Sequence, residues 1–489
     1  FMNIVTYQSI KNTIITYAGF VIGAINTLFL YTYILGDIYY GLVGFILSSS
    51  NIMMPLLAFG AHNSLVKFYA AYPTEQAKSE FLTYLLFLPL LFVLPFSVVG
   101  YIYYSEIGQL LSHENPIIAQ YLWIVPLVGL SMGYFEIFYA WVKVHLKSVF
   151  GSFLREVALR LMVSLFLILV YQQIITPEQF IYALVLIYFT TMVCMKWYAY
   201  HIKMPAFTFK LPSNYLVVLE YSLYIILSGS IAMLLLDIDK FMIAQYVKIE
   251  NVAYYSVAIF ISLVIAVPGR AMHQITYPIT AKLMAENKYP ELNELYKKSS
   301  ITLQIVGGLV YLGILINLNQ IYILLPKQYS GGIAIVFFVG LSKYFDLVLG
   351  NNNSIIFNSK YYKAVLFLGV MLTIVTITLN MLLIPSYGIN GAAIATLISI
   401  TLYSWTKLYF VVKKMNLYPF TIQTLKALGL LVVLFGLFYF WDFPFHPIIS
   451  ITLKTTIFAI MYLYLHYRLA LSLDVNNLIN NTLSKVFKK

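Results

Sequence analysis

Apolar runs of about 20 residues follow one another along almost the whole chain, each long enough for a helix to cross roughly 30 Å of hydrocarbon. They extend from 13–35 through 217–247 and 332–357 to 447–467, about fourteen in all. Few folds are open to such a chain, because a backbone in lipid must satisfy its N–H and C=O groups internally. A barrel strand would need only about nine to eleven residues of alternating polarity, so the expected fold class is all-α, a polytopic membrane helical bundle. The composition agrees: 61% of residues are hydrophobic and 10% charged, with a mean hydropathy of +0.84, against about 45–50% apolar residues in soluble domains. Pro55, Pro89, Pro126, Pro268 and Gly340 fall in mid-run, where neighbouring helices or water re-satisfy the freed backbone groups. The first run is full length with no small-residue cleavage pattern behind it, so it reads as a span rather than a signal peptide.

Orientation follows from the basic residues. With a cytoplasmic N-terminus most of the 30 Lys and Arg lie on or beside cytoplasmic segments, and Lys248 and Lys327 face outside. Both termini are then cytoplasmic, and the formal charge of +12 is an orientation signal rather than a nucleic-acid footprint. Trailing Lys485, Lys488 and Lys489 read as a solvated tail near anionic headgroups. Cys194 stands alone, which excludes a disulfide framework or a Cys/His metal cluster. Many of the 43 Tyr gather at run ends, as in Tyr361-Tyr362, where amphipathic rings anchor at the interface.

Laid over itself, the chain aligns Pro55 with Pro268 and Asn26 with Asp239, then Tyr72-Pro73 with Tyr289-Pro290 about one helical turn farther on. This divides it into six spans over 1–204, six over 205–415, and two more with a cytoplasmic tail over 416–489. Repeat-built transporters place the solute site at the repeat interface near the midplane.

Asp239, Lys240, Arg270, Lys343 and Asp346 lie inside spans, where each charge costs about 2.5–3.5 kcal/mol on insertion scales and marks a wet cavity or solute path. Asp237 and Lys240 stand three apart, placed to pair and to leave Asp239 exposed. Arg270 follows Pro268-Gly269 with no carboxylate nearby in sequence, and a guanidinium fork holds phosphate oxygens bidentately. His273, at the next turn, either assists or bonds a backbone carbonyl. Lys343 and Asp346 are again three apart, followed by Asn351, Asn352, Asn353 and Ser354, so this helix faces water or is locally broken. Glu136, Arg155, Glu156 and Arg160 sit nearer the cytoplasmic surface and read as snorkelling side chains. The first half offers neutral groups instead: Asn26, the run Ser48-Ser49-Ser50-Asn51, and His62. These either face solute hydroxyls or let helices pack closely. Such a chain reads as a transporter of a charged, partly sugar-like solute. The short external segments leave no room for an extramembrane catalytic site.

The segment PSYGINGAAIAT (385–396) resembles the Tyr-Gly-x-x-Gly-Ala-Ala signature of polysaccharide exporters in the MATE-like superfamily of multidrug, oligosaccharidyl-lipid and polysaccharide transporters. Asp239-Lys240 followed by Ala253-Tyr254-Tyr255, and GDIYYGL (36–42), are similar to that superfamily's seventh-helix and first-external-turn patterns. The resemblance implies a two-lobe, inverted-V transporter of six plus six plus two spans in a bacterial inner membrane. It implies a flippase of Wzx type, not an enzyme. Such a protein moves an undecaprenyl-diphosphate-linked oligosaccharide to the periplasmic leaflet for O-antigen, capsule or exopolysaccharide assembly, by alternating access driven by a Na+ or H+ gradient and without a cofactor. On that pattern Arg270, Lys240 and Lys343 would meet the pyrophosphate. Asn26, Ser49, Asn51, His273, Asn351, Asn352 and Asn353 would line the polar cavity, and Asp239 or Asp346 would hold the coupling ion. The polyprenyl tail would stay in lipid near the two extra helices. Expected partners are the lipid-linked glycan, membrane lipids, and a polysaccharide polymerase with its chain-length regulator around a monomeric flippase. Relatives usually carry basic residues in the first-lobe cavity as well, and here those helices are nearly uncharged. Alternatives are a lipid II flippase, a twelve-span MATE drug exporter with an acidic cavity, and a membrane polymerase or ligase.

Overall fold

The computed structural model describes the backbone of residues 2–208, 210–477 and 480, and their side chains except at 2–10, 227–236, 274, 362, 365 and 366. Lys485, Lys488 and Lys489 lie outside the described residues. Among the described residues every regular element is helical. Among the described residues ten helices are long and apolar enough to cross a membrane, and two shorter apolar helices, Tyr215–Ile226 and Ile422–Phe438, accompany them. The chain is a multi-pass membrane protein. One of the ten, Phe367–Met415, is itself interrupted at Gly388, where φ is 57° and ψ −139°. That break lies in the segment whose glycines suggested a turn. The full count of fourteen spans rests on the sequence.

Packing divides the chain into two compact units, Phe1–Ser256 and Val257–Lys489. In the first, the Asp37–Leu57 helix packs against both Ile124–Val144 and Tyr215–Tyr246, and Pro177–Ile202 leans on Ile124–Val144. The serine run serves this packing, since Ser50 Oγ donates to the Val125 carbonyl at 2.9 Å. In the second, Tyr289–Leu315 and Ile333–Val348 form the centre, with Tyr362–Met415 against the latter. Ile422–Phe438 and Pro447–Arg468 lie against Tyr289–Leu315.

Intramembrane charge is built into this packing. Lys454, fully buried on Pro447–Arg468, donates to the Ile316 carbonyl at 2.6 Å, the Trp441 carbonyl at 2.5 Å and Asp442 Oδ1 at 2.8 Å. It thereby satisfies a carbonyl at the end of Tyr289–Leu315, where intrahelical partners run out.

The polar stretch after Lys343 is broken locally, as its amides suggested. Ile333–Val348 stops, Gly350 takes a left-handed φ of 59°, and a new helix runs over Asn352–Asn358. A Cβ at Gly350 would also stand 2.5 Å from the Ser300 backbone nitrogen, whereas one at Gly388 would meet nothing within 4 Å. Gly388→Ala is therefore expected to cost only the strain of a positive-φ conformation all but reserved for glycine, about 1–3 kcal/mol, whereas Gly350→Ala adds a backbone clash to its positive-φ strain and should cost more. Thermal unfolding of both variants in one detergent checks this; equal melting losses would count against the close approach at Gly350.

Candidate functional site in the second unit

The Val267–Ala285 helix opens with Pro268 in its first turn, which the absent proline N–H makes a favourable start. Arg270 and His273 follow at helical spacing and face a cavity of about 390 Å³. Lys343 and Asp346 enter the same cavity from Ile333–Val348, and Asn351 and Asn353 reach it through the break at Gly350. The fold thus brings together most of the second-half residues singled out in the sequence. Arg270 is exposed toward this space and has no ion-pair partner among the described residues.

Asp346 is two-sided. Its side chain keeps 42% of its surface accessible, yet Oδ1 lies 3.1 Å from Lys407 Nζ and accepts from Ser404 Oγ at 3.4 Å. Lys407 is buried, donates also to Asn353 Oδ1 at 3.0 Å, and sits 4.4 Å over the Tyr403 ring. The sequence reading missed Lys407, because a lysine late in a span and close to Lys413 and Lys414 looks like an interfacial anchor. Ser404 and Lys407, three apart on one face, were the available signal.

The three asparagines divide their tasks. The Asn351 backbone N–H donates to Ser299 Oγ at 3.0 Å and its Nδ2 to Thr280 Oγ1 at 2.5 Å. Asn352 is no cavity residue: it is buried, with Nδ2 donating to the Tyr296 hydroxyl at 2.6 Å. Its orientation follows the helix restarted after Gly350.

The first unit treats its polar groups differently. Asp237 accepts from Lys240 Nζ at 3.5 Å and Asn51 Nδ2 at 3.2 Å, so the expected pair forms and engages Lys240. Asp239 is not exposed as anticipated; it is buried and accepts from the Tyr255 hydroxyl at 2.6 Å. Asn26 does not face a polar cavity either. Here the first long helix widens to π geometry over Asn26–Leu35, Asn26 Nδ2 donates to the Arg160 carbonyl at 2.9 Å, and its Oδ1 accepts from Ser164 Oγ at 2.6 Å. Ser49 lines a cavity, but an apolar one of about 640 Å³ shared with Phe45, Phe96, Trp123 and Phe241. Arg155 and Arg160 pair with Glu136 at 2.6 Å and Glu156 at 3.2 Å rather than snorkelling singly.

The second-unit cavity of about 390 Å³ joins a guanidinium, an ammonium, an imidazole and amides, and its carboxylate, Asp346, is paired with Lys407. Such cationic donors can chemically hold an anion, and such amides can bond hydroxyls.

Comparison with known proteins places this geometry. Residues 9–284 match a family described as polysaccharide biosynthesis protein. The chain is 29% identical over 177 residues to the protein named probable flippase AglR of Haloferax volcanii. That similarity covers 34% of this chain and 36% of the relative, so the chain spans about a third of that relative's length. Among solved structures, the lipid II flippase MurJ in an inward closed conformation matches with a TM-score of 0.74 at 16% identity, over 94% of this chain and 99% of the other. An inward-facing multidrug resistance MATE family transporter of the MOP superfamily matches with a TM-score of 0.60 at 14% identity, over 81% and 94%. These likenesses show the fold alone, one that the chain shares with the flippase MurJ and the MATE family transporter.

Cavity access is directly measurable. In a Cys194→Ala background, His273→Cys is expected to react with a hydrophilic thiol reagent in the native state. Ser342→Cys, at a fully buried position beside Lys343, is expected to stay protected until unfolding. Equal labelling at both positions would remove the cavity as a solute site.

Proposed function

Because the chain belongs to the polysaccharide biosynthesis protein family, we propose that it is a flippase for a polyprenyl-diphosphate-linked oligosaccharide, moving it from the cytoplasmic to the outer leaflet. The observation that carries this reading is the cavity shared by Arg270, Lys343, His273 and Asn351, where the carboxylate of Asp346 is already bound to Lys407. A diphosphate carries dense negative charge on oxygens that a guanidinium fork and an ammonium recognise. Amides accept and donate to sugar hydroxyls. The polyprenyl chain needs no protein cavity, since lipid solvates it. Lys240 is engaged by Asp237 within the first unit. Undecaprenol as the lipid, O-antigen or capsule repeats as the glycan, and a bacterial inner membrane with both termini cytoplasmic complete the proposal.

A drug-cation exporter is disfavoured by the same cavity, where cationic groups outnumber the one carboxylate. Coupling to an ion gradient falls better on Asp239 than on Asp346. Asp346 is held by an ammonium that a coupling ion would have to displace. Moving one charge through the membrane potential supplies about 2.3 kcal/mol per 100 mV.

Two outcomes follow. Arg270→Ala is expected to abolish outward appearance of the lipid-linked glycan, scored with a periplasmic glycan-modifying probe at unchanged protein level. Arg270→Lys, which keeps charge but loses the bidentate fork, should retain a part. Full transport by Arg270→Ala would remove the residue from the substrate site. Asp239→Asn is expected to make residual transport insensitive to collapse of the ion gradients; an unaltered gradient dependence would take the coupling role away from it.

A further inference from the structure

We infer that the second unit carries a lipid site apart from the Arg270 cavity: a basic cavity among its helix ends, built around Lys360 and Lys414, that takes the phosphate headgroup of an anionic membrane lipid. The inference goes beyond the flippase reading and needs no cargo.

This cavity, of about 570 Å³, shares no lining residue with the Arg270 cavity. Tyr289 enters it from the start of Tyr289–Leu315, Asn358 from the end of Asn352–Asn358, and Tyr361 and Lys414 from the two ends of Tyr362–Met415. Drawn out straight, the 54 residues of that last element would hold its ends about 80 Å apart. Both ends line one cavity because the chain turns back at Gly388, midway along. Each arm is long enough to cross the hydrocarbon, which sets the cavity at a membrane surface, the cytoplasmic one on the orientation proposed above.

Its charge is one-sided. No carboxylate lines it among the described residues, and Lys360 and Lys414 form no ion pair there. Glu286, next in the chain to the lining residue Ala285, is taken by Lys288 at 2.6 Å and Lys282 at 3.9 Å. Lys414 alone would read as the usual cation in a helix's last turn. Lys360 has no such reason to be basic, since it precedes the start of the same helix, where the dipole opposes a cation. The turn that carries it is fixed: Asn358 Nδ2 donates to the Ser354 carbonyl at 2.9 Å and the Tyr277 carbonyl at 3.4 Å, and Ser359 Oγ donates to the Ile356 carbonyl at 2.7 Å and accepts from the Tyr361 N–H at 3.1 Å. Ammonium groups and tyrosine hydroxyls are donors to phosphate oxygens. Met284 and Met415 add an apolar wall that packs on the buried cluster of Leu292 and Val411. Basic pockets between helices at the cytoplasmic face suit anionic headgroups, and the methionines suit the chains attached to one, from which a free ion gains nothing.

The alternative is a pair of interfacial lysines that attract anionic lipid diffusely. Native mass spectrometry of the purified full-length protein, titrated with phosphatidylglycerol or phosphatidylcholine, separates the two, with melting temperature recorded alongside. A first phosphatidylglycerol is expected to bind about tenfold more tightly than phosphatidylcholine. Lys360→Ala with Lys414→Ala should weaken that binding by about tenfold or more. Lys413→Ala with Lys426→Ala, which removes the same charge from residues outside the lining, should leave it unchanged. If the first double variant melts early, Lys360→Gln and Lys414→Gln taken singly decide the matter, each expected to lose a part of the affinity. Equal losses in the two double variants, or unchanged binding in Lys360→Ala with Lys414→Ala, would overturn the site. Displacement of phosphatidylglycerol by millimolar inorganic phosphate at matched ionic strength would assign the cavity to a soluble anion and overturn the lipid headgroup as its occupant. None of these variants touches the Arg270 cavity, so the flippase reading stands or falls separately.

Discussion

Hydrocarbon offers no partner to an unpaired N–H, carbonyl or charge, and the cost of each unanswered group is several kcal/mol. The helices of this chain answer that constraint along their backbones, and their charges answer it in pairs. Lys454 is enclosed by two carbonyls and Asp442, Asp237 by Lys240 and Asn51, and Lys407 by Asp346 and Asn353. Buried pairs of this kind add little net stability, because desolvation consumes most of the attraction, yet removing one member alone costs about 3–5 kcal/mol. Their value is permissive. They let a charge stand at a depth where function needs one. Arg270 departs from the pattern, exposed to a cavity and without an ion-pair partner among the described residues.

The two units spend their polar groups differently. In the first, Asn26 and Ser50 bond to backbone carbonyls of neighbouring helices, and Glu136, Arg155, Glu156 and Arg160 neutralise one another. A cavity of about 640 Å³ there is lined by apolar and aromatic side chains. In the second, the helix break at Gly350 keeps Asn351 and Asn353 beside Lys343 and Asp346, and the cavity retains free polar capacity. The near absence of charge in the first-half spans, seen already in the sequence, goes with neutral polar groups, Asn26 and Ser50, that bond the backbones of neighbouring helices.

What was legible in the sequence was local. The helical fold followed from run length, the interruption near Asn351–Asn353 from accumulated amides, the turn at Gly388 from its motif, and the Asp237–Lys240 pair from spacing on one helix. Partners contributed by other helices were not legible, because spacing reports neighbours on one face only. Tyr255 on Asp239, Arg160 and Ser164 on Asn26, and Lys407 on Asp346 each join residues 16 or more positions apart. These hidden partners account for the revised roles of Asp239 and Asn26 and for the omission of Lys407. A polar residue in a span signals either a cavity or a partner, and only the packed structure distinguishes them.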